Sequence, residues 1–139
     1  GPNCYIRAGT CLGKKVRIGN ACEIKNSIIG DGSHAAHLSY IGDSLIGKSC
    51  NLGAGTIIAN LRFDESPIEI TVNGERLHSG RRKLGAVIGD KVQTGVNVSI
   101  HPGVVIGGDS WVIPGASIQR DVKPGVIKYF FSKLEERPR

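Results

Sequence analysis

The chain has 139 residues, 40% of them hydrophobic and 22% charged, with a formal net charge of +6. That suits one buried core, and no window approaches the run of about 20 apolar residues needed to span a bilayer. Glycine is 20 of 139 and aromatics are 5%. Glycine does not fall at every third position, which excludes collagen, and the wealth of Ile and Val excludes disorder. The positive charge implies an anionic partner. So few aromatics and no nucleic-acid motif argue against nucleic acid and leave a phosphorylated small molecule or a phosphate-bearing cofactor. No signal peptide is visible, so a soluble, cytoplasmic protein is expected. The chain lacks methionine and begins inside a repeat, and is read as a fragment of a longer protein.

In chain order, aliphatic residues recur every six positions at Ile6, Leu12, Ile18 and Ile24. A five-residue step leads to Ile29, followed by Ala35 and Ile41, and a second short step leads to Ile46, Leu52 and Ile58. Two positions before each stands a small residue, among them Cys4, Thr10, Cys22, Ser27, Cys50 and Thr56. One position after, Gly is usual, as at Gly13, Gly19, Gly30 and Gly53. A period of 3.6 does not generate sixes, so helix is excluded. This first block spans residues 1–61.

Residues 62–85 break the period. Residues 68–72 alternate, Asn73-Gly74 reads as a hairpin turn, and residues 75–78 return, before the basic run Arg81-Arg82-Lys83. A β-hairpin arm is expected there. The period resumes at Ile88, Thr94, Ile100, Ile106, Val112 and Ile118, giving a second block over residues 86–121. In the tail, residues 122–139, Pro124-Gly125 ends the repeats, and residues 126–134 read as a short amphipathic helix capping the open end.

Three hexapeptides close a triangular coil of roughly 18 residues, with side chains alternately inside and outside. The aliphatic and the small residue two before it point inward, and Gly is expected to give backbone freedom near the corners. Coils stacked at about 4.8 Å pair every backbone group with the coil above or below. About five coils follow, stable only when stacked. The fold class is all-β: a parallel β-helix with a hairpin insertion and a short helical tail.

This pattern resembles the hexapeptide-repeat family, and that resemblance implies a left-handed helix. The run Ser33-His34-Ala35-Ala36-His37-Leu38-Ser39-Tyr40-Ile41-Gly42-Asp43, followed by Asn51-Leu52-Gly53-Ala54-Gly55-Thr56-Ile57 and Asn60, is more specific. It resembles the acetyltransferase domain of the bifunctional sugar-1-phosphate nucleotidylyltransferase/acetyltransferases, enzymes of UDP-N-acetylglucosamine synthesis. The hairpin and the run from Ser79 to Gly85 are similar to archaeal members. The resemblance implies acetyl transfer from acetyl-CoA to the amino group of glucosamine 1-phosphate or galactosamine 1-phosphate, with no metal in this domain. It also implies a homotrimer with sites between neighbouring β-helices, and a nucleotidylyltransferase domain upstream.

By the same resemblance His37 is the general base, and the Ala54 N–H polarises the thioester carbonyl. Arg7, Lys25 and Lys83 are phosphate ligands, with Tyr40 beside them. Asn51 and Asn60 hold the sugar, Asn60 close to the reacting centre. Gly95, Val96 and Pro114 line the path of acetyl-CoA. Val96 stands where the bacterial form has serine and Pro114 where it has alanine, and Pro114 has no N–H to offer.

On their own terms, Arg7 and Lys25 stack one coil apart, and two stacked cations repel unless an anion bridges them. An imidazole titrates near neutral pH, which suits His37 as base for an amine. Asn51 and Asn60 also fit plain turn positions, and residues 81–83 also fit a solvated charge run. Two other functions are open: a non-catalytic trimerisation or regulatory domain, and a zinc carbonic anhydrase using His34, His37 and His101. Cys4, Cys22 and Cys50 fall on the small inward position. A Cys4–Cys22 disulfide is geometrically conceivable, although a cytosolic setting opposes it. Cys11 is off that register, and no Cys-x-x-Cys pair exists.

Overall fold

The hexad period becomes three parallel sheets that wrap one core, seen in a computed structural model describing residues 1–128. The first face stacks Tyr5–Ile6, Glu23–Lys25, Tyr40–Gly42, Ile57–Ile58, Ser99–Ile100 and Ser117–Ile118. The second stacks Cys11–Leu12, Ile28–Ile29, Leu45–Ile46, Val87–Ile88 and Val105–Ile106. The third stacks Arg17–Asn20, His34–His37, Asn51–Leu52, Gln93–Thr94, Trp111–Val112 and Ile127–Lys128. Register follows the period: Ile24 sits over Ile6 and under Ile41, and Ile58 lies between Ile41 and Ile100.

Every aliphatic of the period from Ile18 to Ile118 is buried, as are its small partners from Cys22 onward. Ile6 and Leu12, in the first coil of the stack, are 39% and 40% exposed. Thr94 is the one polar residue in an aliphatic slot. Its hydroxyl is used inside the core, 2.9 Å from that of Thr56.

The corners correct the expectation about glycine. The left-handed backbone conformation falls mostly on other residues, among them Lys15, Ala21, Leu38, Ser49, Lys91 and Asp109. Gly13, Gly19, Gly30 and Gly53 have ordinary φ, and their role is close approach. A Cβ on Gly19 would overlap the Ala36 carbonyl one coil away, and one on Gly53 would overlap Gly95. Adjacent coils can meet there only without side chains.

The insertion leaves and re-enters at one corner. Leu61 bridges to Lys83, and the Leu84 N–H donates to the Asn60 carbonyl at 3.0 Å. Beyond it, Glu69–Val72 pairs antiparallel with Glu75–His78 across Asn73-Gly74, both of positive φ, as a two-residue hairpin demands. Ile68, fully buried, anchors the arm against Gly103.

The tail departs from expectation where it is described. Gly125, at φ 67°, turns one more corner, and Ile127–Lys128 continues the third face beside Trp111–Val112 as a strand. The rest of the expected helix lies outside the described residues. All four cysteines are free thiols, Cys11 exposed and Cys22 and Cys50 buried. Among the described residues no helix is long and apolar enough to cross a membrane.

Candidate active site

The two five-residue steps produce a polar ladder at the corner between the first and second faces. Gly9, Asn26, Asp43 and Asn60 occupy this corner in successive coils, and Asn26 and Asn60 each lie 17 residues from Asp43. Asp43 has a positive φ of 49° and is buried. Its carboxylate accepts from Lys25 Nζ at 2.8 Å, from Asn26 Nδ2 at 2.7 Å and from Asn60 Nδ2. Burial alone would raise the Asp43 pKa, but the bonds from Lys25, Asn26 and Asn60 outweigh it and hold the carboxyl below its ordinary value.

Asn60 Nδ2 also donates to the Tyr40 hydroxyl at 3.1 Å. The Tyr40 ring lies over Gly42, where a Cβ would strike both the phenol oxygen and the Asn60 amide. Lys25, Tyr40 and Asn60 are thus brought together. Lys83 is delivered beside them by its bridge to Leu61 and stays exposed.

Arg7 lies one coil away on the same face. The expectation that only a bound anion relieves Arg7–Lys25 repulsion is corrected by their internal partners. Arg7 Nη1 meets Glu23 Oε1 at 2.8 Å, which raises the guanidinium pKa, while Lys25 meets Asp43. The Arg7–Glu23 pair is exposed and holds its cation far more loosely than the partly buried Lys25–Asp43 pair does.

His37 stands at the opposite edge of the first face, at its corner with the third, and is exposed. Its carbonyl accepts the Gly55 N–H at 3.3 Å, which sets Ala54 one coil above it. The Ala54 carbonyl in turn accepts from Asn97 at 2.8 Å and that of Val96 from Gly115 at 2.8 Å, so His37, Ala54 and Val96 form one column. The Ala54 N–H makes no hydrogen bond among the described residues. The Pro114 ring packs over Gly95. Beside them a groove of about 320 Å³ is lined by Gly95, Trp111, Ile113 and Pro114.

Asn51 does not join the Tyr40–Asn60 group. It points outward from the third face, between His34 and Gln93. His34 shares that face, while His101 lies on the first face with Nε2 3.4 Å from Ser117 Oγ. No cluster of three metal-ligating side chains occurs among the described residues. Sequence reasoning missed Asp43 as the hub of the corner. Its signal was the Asn26, Asp43, Asn60 spacing set by the two short steps.

The coil geometry and this pair of corners define a class: the chain is a left-handed parallel β-helix of hexapeptide repeats. Among solved structures it is similar to PerB from Caulobacter crescentus, in complex with CoA and GDP-perosamine. The TM-score is 0.72 at 23% identity, over 91% of this chain and 50% of that one. It is also similar to AntD, an N-acyltransferase from Bacillus cereus in complex with dTDP and 3-hydroxybutyryl-CoA. There the TM-score is 0.69 at 20% identity, over 91% and 72% of the two chains.

The family follows from the sequence itself. Residues 1–82 match the GMPPB C-terminal domain, and the chain belongs to that family. It is 54% identical over 125 residues to a bifunctional sugar-1-phosphate nucleotidylyltransferase/acetyltransferase of Sulfurisphaera tokodaii, covering 90% of this chain and 31% of that protein. It is 44% identical over 129 residues to the bifunctional protein GlmU of Methanocaldococcus jannaschii, covering 93% and 31%. The chain therefore spans under a third of the length of these relatives.

Proposed function

We propose that this chain is an acetyltransferase domain that moves an acetyl group from acetyl-CoA to the amino group of a hexosamine 1-phosphate, glucosamine 1-phosphate first and galactosamine 1-phosphate second. The observation that carries the reading is the convergence of Lys25, Tyr40 and Asn60 on one corner, with Lys83 beside them and His37 across the same face. The similarity to a relative named as a bifunctional sugar-1-phosphate nucleotidylyltransferase/acetyltransferase supports the reaction, and the CoA and acyl-CoA complexes of similar folds support the co-substrate.

In this reading His37 takes a proton from the sugar amine as nitrogen attacks the thioester carbon. The carbonyl oxygen becomes an oxyanion, stabilised by the Ala54 N–H. Collapse breaks the C–S bond, and the CoA sulfur leaves with the proton held by His37. The phosphate lies toward Lys25, Arg7, Lys83 and the Tyr40 hydroxyl, and the groove at Gly95 and Pro114, with Val96 beside it, takes the pantetheine arm through apolar contact. A nucleotidylyltransferase domain upstream belongs to the same proposal.

A homotrimer is part of the proposal. The outer column of the second face is apolar throughout: Cys11, Ile28, Leu45, Val87 and Val105. Beside it runs a column of Gly13, Gly30, Gly47, Gly89 and Gly107, which leaves the face flat enough to pack on another copy. Asn51 and Asn60 lie on different faces, so one sugar reaching both needs two copies.

One observation favours a second reading, a non-catalytic assembly domain: Arg7 and Lys25 both have carboxylate partners of their own. Release of free CoA thiol, with glucosamine 1-phosphate as acceptor, decides between them. Release that needs both the acceptor and His37, and is lost in a folded His37→Ala protein, supports the enzyme. No release from well-folded wild-type trimer favours the assembly reading.

A further inference from the structure

We infer that Asp43 is a positioning residue that fixes the hydrogen-bond polarity of the Lys25–Tyr40–Asn60 corner, so that it presents one cation, one donor and one acceptor to the sugar phosphate. The inference rests on the acetyltransferase reading for the ligand, but its geometry stands apart from that reading.

A carboxylate only accepts hydrogen bonds, whereas an asparagine amide can turn either way. Asp43 Oδ2 receives both Lys25 Nζ and Asn60 Nδ2, and Oδ1 receives Asn26 Nδ2. The Asn60 amide is thereby held with its NH2 toward Asp43. Its two hydrogens are both spent, one on Asp43 and one on the Tyr40 oxygen. Asn60 Oδ1 has no partner within the described residues, and the one partnerless buried side-chain oxygen or nitrogen there is Thr10 Oγ1. Asn60 Oδ1 is therefore open to solvent and serves as an acceptor. The Tyr40 oxygen, having accepted from Asn60, keeps its own hydrogen for an external acceptor.

The resulting pattern matches an amino sugar phosphate. Phosphate oxygens take the Tyr40 O–H and the Lys25 ammonium, and a sugar N–H or O–H meets Asn60 Oδ1. Asparagine at position 43 would donate to Asn60 Oδ1 as readily as accept from Nδ2, so the Asn60 amide would turn and the corner would lose its polarity. Lys25 would lose its partner in the same step.

The test has two arms. In the kinetic arm, Asp43→Asn is expected to lower kcat/KM for glucosamine 1-phosphate about a hundredfold, with KM for acetyl-CoA unchanged. A loss under threefold, or equal damage to both substrates, overturns the inference. The second arm, on wild-type protein, needs neither activity nor a folded variant. Proton exchange of the Asn60 side-chain amide, read by nitrogen-15 NMR, is expected to be far slower than at the exposed Asn97. Exchange as fast as at Asn97 overturns the inference outright. Wild-type protein that acetylates no amino sugar phosphate, yet shows the slow exchange, sinks the acetyltransferase reading and leaves Asp43 as the group that orients Asn60.

Discussion

Thr56 and Thr94 hold their hydroxyl oxygens 2.9 Å apart inside the β-helix, on opposite sides of the insertion. Thr56 Oγ1 donates to the Gly53 carbonyl at 2.7 Å, and Thr94 Oγ1 accepts the Gly53 N–H at 3.0 Å. The pair thus braces the backbone immediately before Ala54. Thr56→Val leaves the buried Thr94 hydroxyl without its acceptor, while the Gly53 carbonyl keeps the Thr56 N–H at 3.1 Å, at a cost of about 1–3 kcal/mol. Adding Thr94→Val removes the second hydroxyl, so the double variant should cost less than the sum of the singles. A urea double-mutant cycle measures the coupling, and strict additivity would count against the pair.

Position along the coil axis governs what a core residue is worth. Ile58 is wholly buried between Ile41 and Ile100, whereas Ile6 is 39% exposed. Ile58→Ala should cost about 2–5 kcal/mol, and Ile6→Ala clearly less. Denaturant midpoints of the two variants check the ranking.

Asp43 makes stability depend on acid. Its folded pKa is depressed, so its contribution is fully present above the unfolded value of about 3.9 and is lost as pH falls through the lower folded value. Unfolding free energy attributable to this group should be flat from neutral pH to about 5 and decline below about 4. Asp43→Asn should be less stable at neutral pH and show a shallower decline. An identical acid slope in both proteins would remove Asp43 as the cause.

Leu45 projects from the centre of the apolar column on the second face, 47% exposed. Leu45→Glu places a charge on that strip. Sedimentation should show a shift toward monomer with the β-helix intact by circular dichroism. Unchanged assembly would move the interface to another face.

The thiols should differ in reactivity. Burial pushes the Cys50 thiol above its ordinary value, and Cys22 is buried as well, whereas Cys11 is exposed. Brief alkylation at neutral pH followed by peptide mass spectrometry should label Cys11 well ahead of Cys22 and Cys50.

The β-helix was legible because inside and outside alternate strictly, so Ile24, Ile41 and Ile58 announce their slots through burial alone. The role of Gly19 and Gly53 was not, because the distance between stacked coils is a property of three dimensions that six-residue spacing does not carry. The hairpin was readable at Asn73-Gly74, since that dipeptide meets a local backbone demand. At Pro124-Gly125 the same kind of local signal misled: it marks a corner as readily as an end, and Ile127–Lys128 goes on as strand. Arg7 and Lys25 were visible as stacked cations. Their carboxylates, Glu23 and Asp43, were not, because each partner comes from a different coil.

The two feet of the arm meet through the Leu61–Lys83 bridge and the Leu84–Asn60 hydrogen bond, and Ile58 still pairs directly with Ile100. The coil therefore closes as though residues 62–85 had never been spliced in. Beyond Ile68, which stays buried against Gly103, such an excursion can lengthen, shrink or change its tip without shifting any side chain of the coils between core and solvent. The helix and its arm are thus free to drift in sequence at separate rates, with Lys83 at the seam, carried by the arm yet set beside Asn60.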